Sequence, residues 1–251
     1  MTDDSWRALD EAFSAAITPW TTGGSPIAVL FSGGVDSGLL AWELRDRPGL
    51  VLSTIGSRDS ADLRIAAEGA AVIRAQWIPT VVDASEVRTA AERLHHHLDD
   101  LTRTTRGVLI AFSLAVEHAP PGAILCGQGV DELFLGYAHF RATDAERAAE
   151  RARADLRQLL DRDWPRAQRI ARELGREIYA PYLDPRFIAA ALHISNESRR
   201  PLPVPKAFFR RWAMQRGLPA SIADRPKRAL QFGSGIDRLI PREKSVRSKP
   251  D

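Results

Sequence analysis

Two short segments hold the residues best suited to chemistry, Ser32-Gly33-Gly34-Val35-Asp36-Ser37 and Gly127-Gln128-Gly129-Val130-Asp131-Glu132. In the first, two glycines permit a tight turn that exposes several amides. Ser32 and Ser37 add hydroxyl donors, and a helix start supplies further unpaired amides, so Ser32, Gly33, Gly34, Val35, Asp36 and Ser37 form a candidate anion cradle. Asp36 would repel a bare phosphate, which makes sense with a cation such as magnesium between them. The same composition also suits a strand-to-helix turn with serine as its cap. A glycine-rich loop ending in lysine and serine or threonine is absent, as is a Gly-x-Gly-x-x-Gly fingerprint. In the second segment Asp131 either faces Asp36 across a shared magnesium-pyrophosphate site or, with Glu132, caps a helix whose Leu133 and Phe134 enter the core.

Strands must deliver both segments to one place. Each follows an apolar run, Ile27 to Phe31 and Ala123 to Cys126, which predicts a strand buried on both faces. Leu50 to Ile55 and Trp77 to Val82 read as two more, and Pro79 removes an amide and suggests an edge or irregular position for the latter. Helical spacing separates them: Leu39, Leu40 and Leu44; a Ser60-capped stretch through Leu63, Ala67, Ala70 and Ile73; Asp83 to Leu98; and Val108 to Ala115. Alternation of this kind predicts an α/β fold with a parallel sheet, whose ligands bind at the carboxyl ends of the strands. Trp6, Leu9, Phe13 and Ile17 predict a docking helix within residues 1–24 that ends at Pro19 and Gly23-Gly24. The sheet domain is placed at 25–138, a mainly helical region at 139–240 and a polar, mobile tail at 241–251. Phe208, Phe209 and Trp212 suit a homodimer interface, although a core explains their helical spacing with fewer assumptions.

The chain has 251 residues, 44% hydrophobic and 27% charged, which is ordinary for a globular protein. Its net charge of +3 requires no polyanion, and the basic runs Arg199-Arg200 and Arg242 to Lys249 more often solvate a face than bind nucleic acid. Cys126 is the single cysteine, so there is no intrachain disulfide framework and no cysteine pair for persulfide chemistry. No long apolar stretch or export signal is evident, and a cytoplasmic setting without membrane contact is expected.

Together the two glycine-acid segments resemble the synthetase domain of glutamine-dependent asparagine synthetases and of β-lactam synthetase, within the ATP pyrophosphatase (PP-loop, Rossmann-like HUP-type) superfamily. The resemblance continues through Glu177-Ile178-Tyr179-Ala180-Pro181-Tyr182-Leu183-Asp184 and Arg225-Pro226-Lys227 to Gly233-Ser234-Gly235. It implies an ATP-dependent, AMP- and pyrophosphate-forming ligase that activates a carboxylate as an acyl-adenylate and passes it to ammonia or an amine. It further implies that Asp36 and Asp131 hold Mg2+, and that Lys227 stabilises pyrophosphate departure and the intermediate. Ser53, Ile55, Cys126 and Gly127 match positions beside the nucleotide. Glu177 matches a carboxylate near the reacting amine, and a buried ion pair is its alternative role.

Three departures bear on substrate. Thr2 stands where glutamine-dependent relatives carry a cysteine nucleophile, so nitrogen is expected as free ammonia, from another amine, or from a separate glutaminase or other amine-supplying protein. Gln128 replaces a glutamate, and an amide accepts no proton as a base would, although it can orient a substrate. Tyr179 replaces an arginine, which weakens the case for aspartate as the acid. An adenylating nucleotide or tRNA-modification enzyme and a non-catalytic ATP-binding protein are the competing functions. His95-His96-His97, pointing about 100° apart on a helix, are not expected to converge on a metal, and His139 is not expected to be catalytic.

Overall fold

The computed structural model describes residues 3–99, 101–137, 140, 144–199, 204–225 and 230–240. The calls on Lys227, His139, Arg200 and the tail beyond residue 240 lie outside the described residues. Five parallel strands form one sheet in the order β3-β2-β1-β4-β5: β1 (Ile27–Leu30), β2 (Leu50–Gly56), β3 (Gln76–Val81), β4 (Ala123–Leu125) and β5 (Ile178–Tyr179). Pro79 lies in β3, an edge strand, where a missing amide costs the ladder least. The two-residue β5 has no apolar run long enough to announce it and exists through pairing with β4, with Ile124 beside Ile178.

The helices in chain order are α1 (Asp3–Thr21), α2 (Val35–Glu43), α3 (Ala61–Ile73), α4 (Ala84–Arg93), α5 (His95–Leu98), α6 (Arg103–His118), α7 (Val130–Leu133), α8 (Ala145–Gln158), α9 (Trp164–Glu173), α10 (Pro185–His193), α11 (Asn196–Arg199), α12 (Ala207–Gln215), α13 (Ala220–Ala223) and α14 (Leu230–Gly233). Ser60 caps α3 by accepting from the Leu63 amide at 3.3 Å. Several strand ends shift by a residue, α6 begins at Arg103 rather than Val108, and two helices differ more from the sequence expectation. Helix α1 continues through Pro19 to Thr21, and the single helix expected from Asp83 to Leu98 breaks at Leu94 into α4 and α5.

Alternate residues of β1 feed different cores. Ile27 and Val29 join a large cluster with Leu39 of α2 and Ala70 of α3, whereas Ala28 packs with Val116 of α6 and Ala171 of α9. The sheet is therefore covered on both faces, which explains why its strands read as unbroken apolar runs. The larger cluster also takes in Phe13 of α1, Phe187 of α10 and Phe208, Phe209 and Trp212 of α12. Phe13 stacks on Tyr182 with centroids 5.3 Å apart and meets Trp212 edge-on at 5.3 Å. The three α12 aromatics are thus core residues and offer no subunit interface. Arg199, expected on a solvated face or against phosphate, is buried and donates to the Leu133 carbonyl at 3.1 Å.

Candidate active site

Strand order creates the site. The chain runs outward from β1 through β2 to β3, then returns to the other side of β1 as β4. The loops after β1 and β4 therefore diverge at the point where the sheet reverses direction, where α/β folds open a crevice. Val29 pairs with Leu125, so the two loops leave their strands at the same level. They touch: a Cβ on Gly127 would stand 2.9 Å from Asp36 Cβ and 3.1 Å from the Ser37 amide. Any side chain at residue 127 would push the loops apart.

The first loop is ordered by its own serines. Ser37 Oγ accepts from the Ser32 amide at 3.2 Å and lies 3.4 Å from Ser32 Oγ. Gly33 adopts φ +74°, and a Cβ there would meet Ile65 Cγ2 at 2.8 Å. Gly34 caps α2 without a side-chain acceptor, and its amide donates to Ser32 Oγ at 3.4 Å; among the described residues no side chain bonds the amides of Val35, Asp36 and Ser37, which suits an anion cradle. Arg225 holds the loop from behind, donating to the carbonyls of Ile65 at 2.6 Å and Gly33 at 3.4 Å. Gly233 packs on Asp62, Ser234 accepts from the Ser57 amide at 2.8 Å, and Gly235 packs on Ser57. Both flanks of residues 226–229 thus touch the first loop, its neighbouring helix or the end of β2.

The second loop turns sharply after α7. Leu135 takes φ +56°, the Gly136 amide donates to the Asp131 carbonyl at 2.9 Å, and a Cβ on Gly136 would fall 1.8 Å from Asp131 Oδ1. Beneath it, Tyr137 Oη donates to the buried Glu132 at 2.5 Å. Burial, with Glu132 and Asp131 nearby, raises the Tyr137 pKa, so the phenol stays protonated as the donor.

Asp36 and Asp131 share the ammonium of Lys206, which bonds to Asp36 Oδ2 and lies 2.9 Å from Asp131 Oδ1. Lys206 is 1% exposed and the carboxylates 22% and 18%. Burial acts to lower the lysine pKa, but Asp131 and Asp36 outweigh it and the net shift is upward. Lys206 itself sits at φ +58°, a left-handed position that a lysine adopts at some cost. Tyr182, fully buried, donates to the Asp36 carbonyl at 2.9 Å. Buried Arg210 adds positive charge near the cluster, fixed by the carbonyls of Pro205 at 2.9 Å and Arg225 at 3.0 Å.

Lys206 is the residue that sequence reasoning missed, since only the aromatics that follow it, Phe208, Phe209 and Trp212, were singled out. A signal was present. The chain has 35 lysines and arginines together but only four lysines, Lys206, Lys227, Lys244 and Lys249. A lysine in an arginine-rich chain is a compact point charge, and between two carboxylates it needs less room than a guanidinium fork.

One observation tests the fit of a divalent cation. Asp36 Oδ1 is buried without a hydrogen-bond partner among the described residues. Carboxylate oxygens are hard donors of the kind Mg2+ takes.

The other candidates lie at varying distance from this cluster. Gly127 is part of it and Gln128 stands exposed beside it. Cys126 is buried, its amide donating to the Tyr179 carbonyl at 2.9 Å, and burial pushes its thiol up to about 12. Ser53 and Ile55 share one face of β2; Ile55 packs with Val82, Leu109 and Ile236, while Ser53 Oγ has no partner among the described residues. Glu177 is not brought to the site. It lies beside Ala123 at the amino end of β4, four residues and about 13 Å back along the strand from Gly127. There it accepts from Tyr179 Oη at 2.8 Å and lines a shallow depression with Pro121, Gly122, Gly175 and Arg176. His96 and His97, expected to splay apart, both reach Glu173. Among the described residues no helix is long and apolar enough to cross a membrane.

Comparison with known proteins places the chain. The asparagine synthase family model matches residues 8–176 and 142–243. A putative glutamine-hydrolyzing asparagine synthetase 1 of Methanocaldococcus jannaschii is 27% identical over 277 residues, covering 95% of this chain and 51% of that protein. The glutamine-hydrolyzing asparagine synthetase of Gallus gallus is 31% identical over 224 residues, covering 84% of this chain and 40% of that one. The chain thus spans about half or less of the length of these curated relatives. Among solved structures, NMN synthetase from Francisella tularensis is similar with a TM-score of 0.46 and 12% identity, covering 91% of this chain and 76% of that one, too loosely to bear on the site.

Proposed function

This chain belongs to the asparagine synthase family, in the PP-loop ATP pyrophosphatase superfamily, and we propose that it uses ATP to activate a carboxylate and transfers the acyl group to ammonia or an amine. The observation that carries this is the convergence of Asp36 and Asp131, from loops on neighbouring parallel strands, on one buried ammonium beside the unpaired amides of the α2 start.

In the first step a carboxylate oxygen of the substrate attacks the α-phosphorus of ATP, and the bond from that phosphorus to the bridging oxygen breaks. Pyrophosphate leaves with the bonding pair. Charge accumulates on the departing group, and donors already in place stabilise it without reorganising. Ser32, Ser37 and the amides of residues 33–37 fill that role, and Gly127 lets the second loop close on the first. Asp36 and Asp131 would hold Mg2+, which when bound neutralises charge on the pyrophosphate. Lys227 is assigned to the developing charge and the acyl-adenylate on its motif. In the second step the amine attacks the acyl carbon, AMP leaves and the nitrogen loses a proton. Gln128, exposed at the rim, suits orienting a substrate by hydrogen bonds. A cytoplasmic setting accords with Cys126 being a free, buried thiol.

The test is exchange of labelled pyrophosphate into ATP, with magnesium and a panel of carboxylic acids. At least one acid should support exchange, and Asp36→Ala and Lys227→Ala should abolish it. Binding of ATP without exchange across a broad panel would instead favour a non-catalytic nucleotide-binding protein.

A further inference from the structure

Away from the carboxylate cluster, His96 and His97 of α5 meet Glu173 at the end of α9. His97 Nε2 is 2.9 Å and His96 Nε2 3.7 Å from the same oxygen, Glu173 Oε2. The three ligand atoms all lie within 4.8 Å of one another. Consecutive histidines leave a helix in different directions, but α5 is a single turn set off from α4 by the break at Leu94. Its two imidazoles lie 4.1 Å apart, tilted by 41°, and Glu173 arrives from the other helix to complete the group.

We propose that His96, His97 and Glu173 form a binding site for a divalent transition ion of the zinc class. Bonds of about 2.0–2.2 Å in a tetrahedral arrangement put neighbouring ligand atoms about 3.3–3.5 Å apart. The 2.9 and 3.7 Å separations from Glu173 bracket that spacing, and the widest pair of the group, within 4.8 Å, closes by rotation of the exposed His96 side chain. Two imidazoles and a carboxylate select zinc-like ions over magnesium, which takes oxygen donors. The His97 side chain is 5% exposed, which fixes its position, while His96 and Glu173 are 53% and 44% exposed and leave the remaining position to water. Glu173 supplies the carboxylate, hydrogen-bonded to His97 Nε2 at 2.9 Å. Arg169, a charged neighbour of that carboxylate, is the competing cation. His95 is turned elsewhere, its Nδ1 3.0 Å from the Glu92 carbonyl oxygen.

The experiment is titration of the full chain, without an affinity tag, with Co2+ followed by visible absorption and then displacement by Zn2+. In millimolar Mg2+, which fills the carboxylate cluster without competing for the imidazoles, one equivalent should bind with the intense bands of a low-coordinate site. Glu173→Gln and His97→Ala should each weaken binding about tenfold or more, while His95→Ala leaves it unchanged. Glu173→Gln is the decisive variant because its side chain is half-exposed and the fold does not depend on it, as circular dichroism will check. Absence of stoichiometric binding would overturn the proposal. So would binding that survives Glu173→Gln but weakens in His95→Ala, the pattern of a loose run of surface histidines.

Discussion

Replacing Lys206 by methionine keeps the unbranched stem and deletes the charge that Asp36 and Asp131 share. Removing one partner of a buried ion pair costs about 3–5 kcal/mol, because the remaining charge stays buried without compensation. Here the carboxylates retain 22% and 18% exposure, so solvent screens them in part and the lower end, about 3 kcal/mol, applies. At about 2–4 °C per kcal/mol for a chain of this size, Tm should fall by about 6–12 °C in magnesium-free buffer. Two controls separate charge from packing. Adding Asp131→Asn to the lysine variant should recover part of the loss, since removing both partners costs less than removing one. Added Mg2+ should narrow the gap to wild type, because it binds only where the native carboxylates are gathered. Thermal and urea unfolding by circular dichroism measure all three. A Lys206→Met variant within the roughly 0.5 kcal/mol of an ordinary surface substitution, or a double variant no better than the single, would refute the view of Lys206 as the counter-charge of the cluster.

Gly136→Ala drives a methyl group to 1.8 Å from Asp131 Oδ1 and 2.4 Å from Lys206 Cε, so it should lower both Tm and ATP–pyrophosphate exchange; a fully active variant would mean that the loop has room to spare. Glu177→Gln, set at the far end of the sheet, should leave exchange and amide formation within a few-fold of wild type, and a collapse of the acyl-transfer step alone would bring Glu177 back toward the reacting amine. Cys126 should resist iodoacetamide at mildly alkaline pH in the native chain and react once unfolded. Burial raises its pKa from 9.0 to about 12, so the protonated thiol's contribution to stability is whole below the unfolded value and is lost as pH rises toward the folded one. Rapid native alkylation, or an unchanged Tm between those two pH values in Cys126→Ala and wild type alike, would contradict that.

Much of the architecture was legible in the residues. A strand covered on both faces has to be a continuous apolar run, so β1, β2 and β4 stood out at Ile27, Leu50 and Ala123. The glycine and acid loops after β1 and β4 were legible because tight turns and exposed amides impose local demands on residue type. The Ser60 cap and the edge position of Pro79 followed from the hydrogen-bonding rules of single residues.

What local pattern could not encode was who meets whom across long separations. That β1 and β4 are neighbours depends on strand order, and that Lys206 closes the Asp36–Asp131 pair depends on α12 folding back across 170 residues. The distance of Glu177 from the cluster was settled by β5, a strand too short to show any periodicity of its own. The histidine run read as divergent because helical geometry fixes where side chains start, whereas the break at Leu94 and the approach of α9 decide where their tips arrive. Residue types dictated the short-range geometry through steric and hydrogen-bonding limits. The partners of the buried charges came from packing of the whole chain, because a charge removed from water is stabilised by whatever opposite charge the fold carries to it.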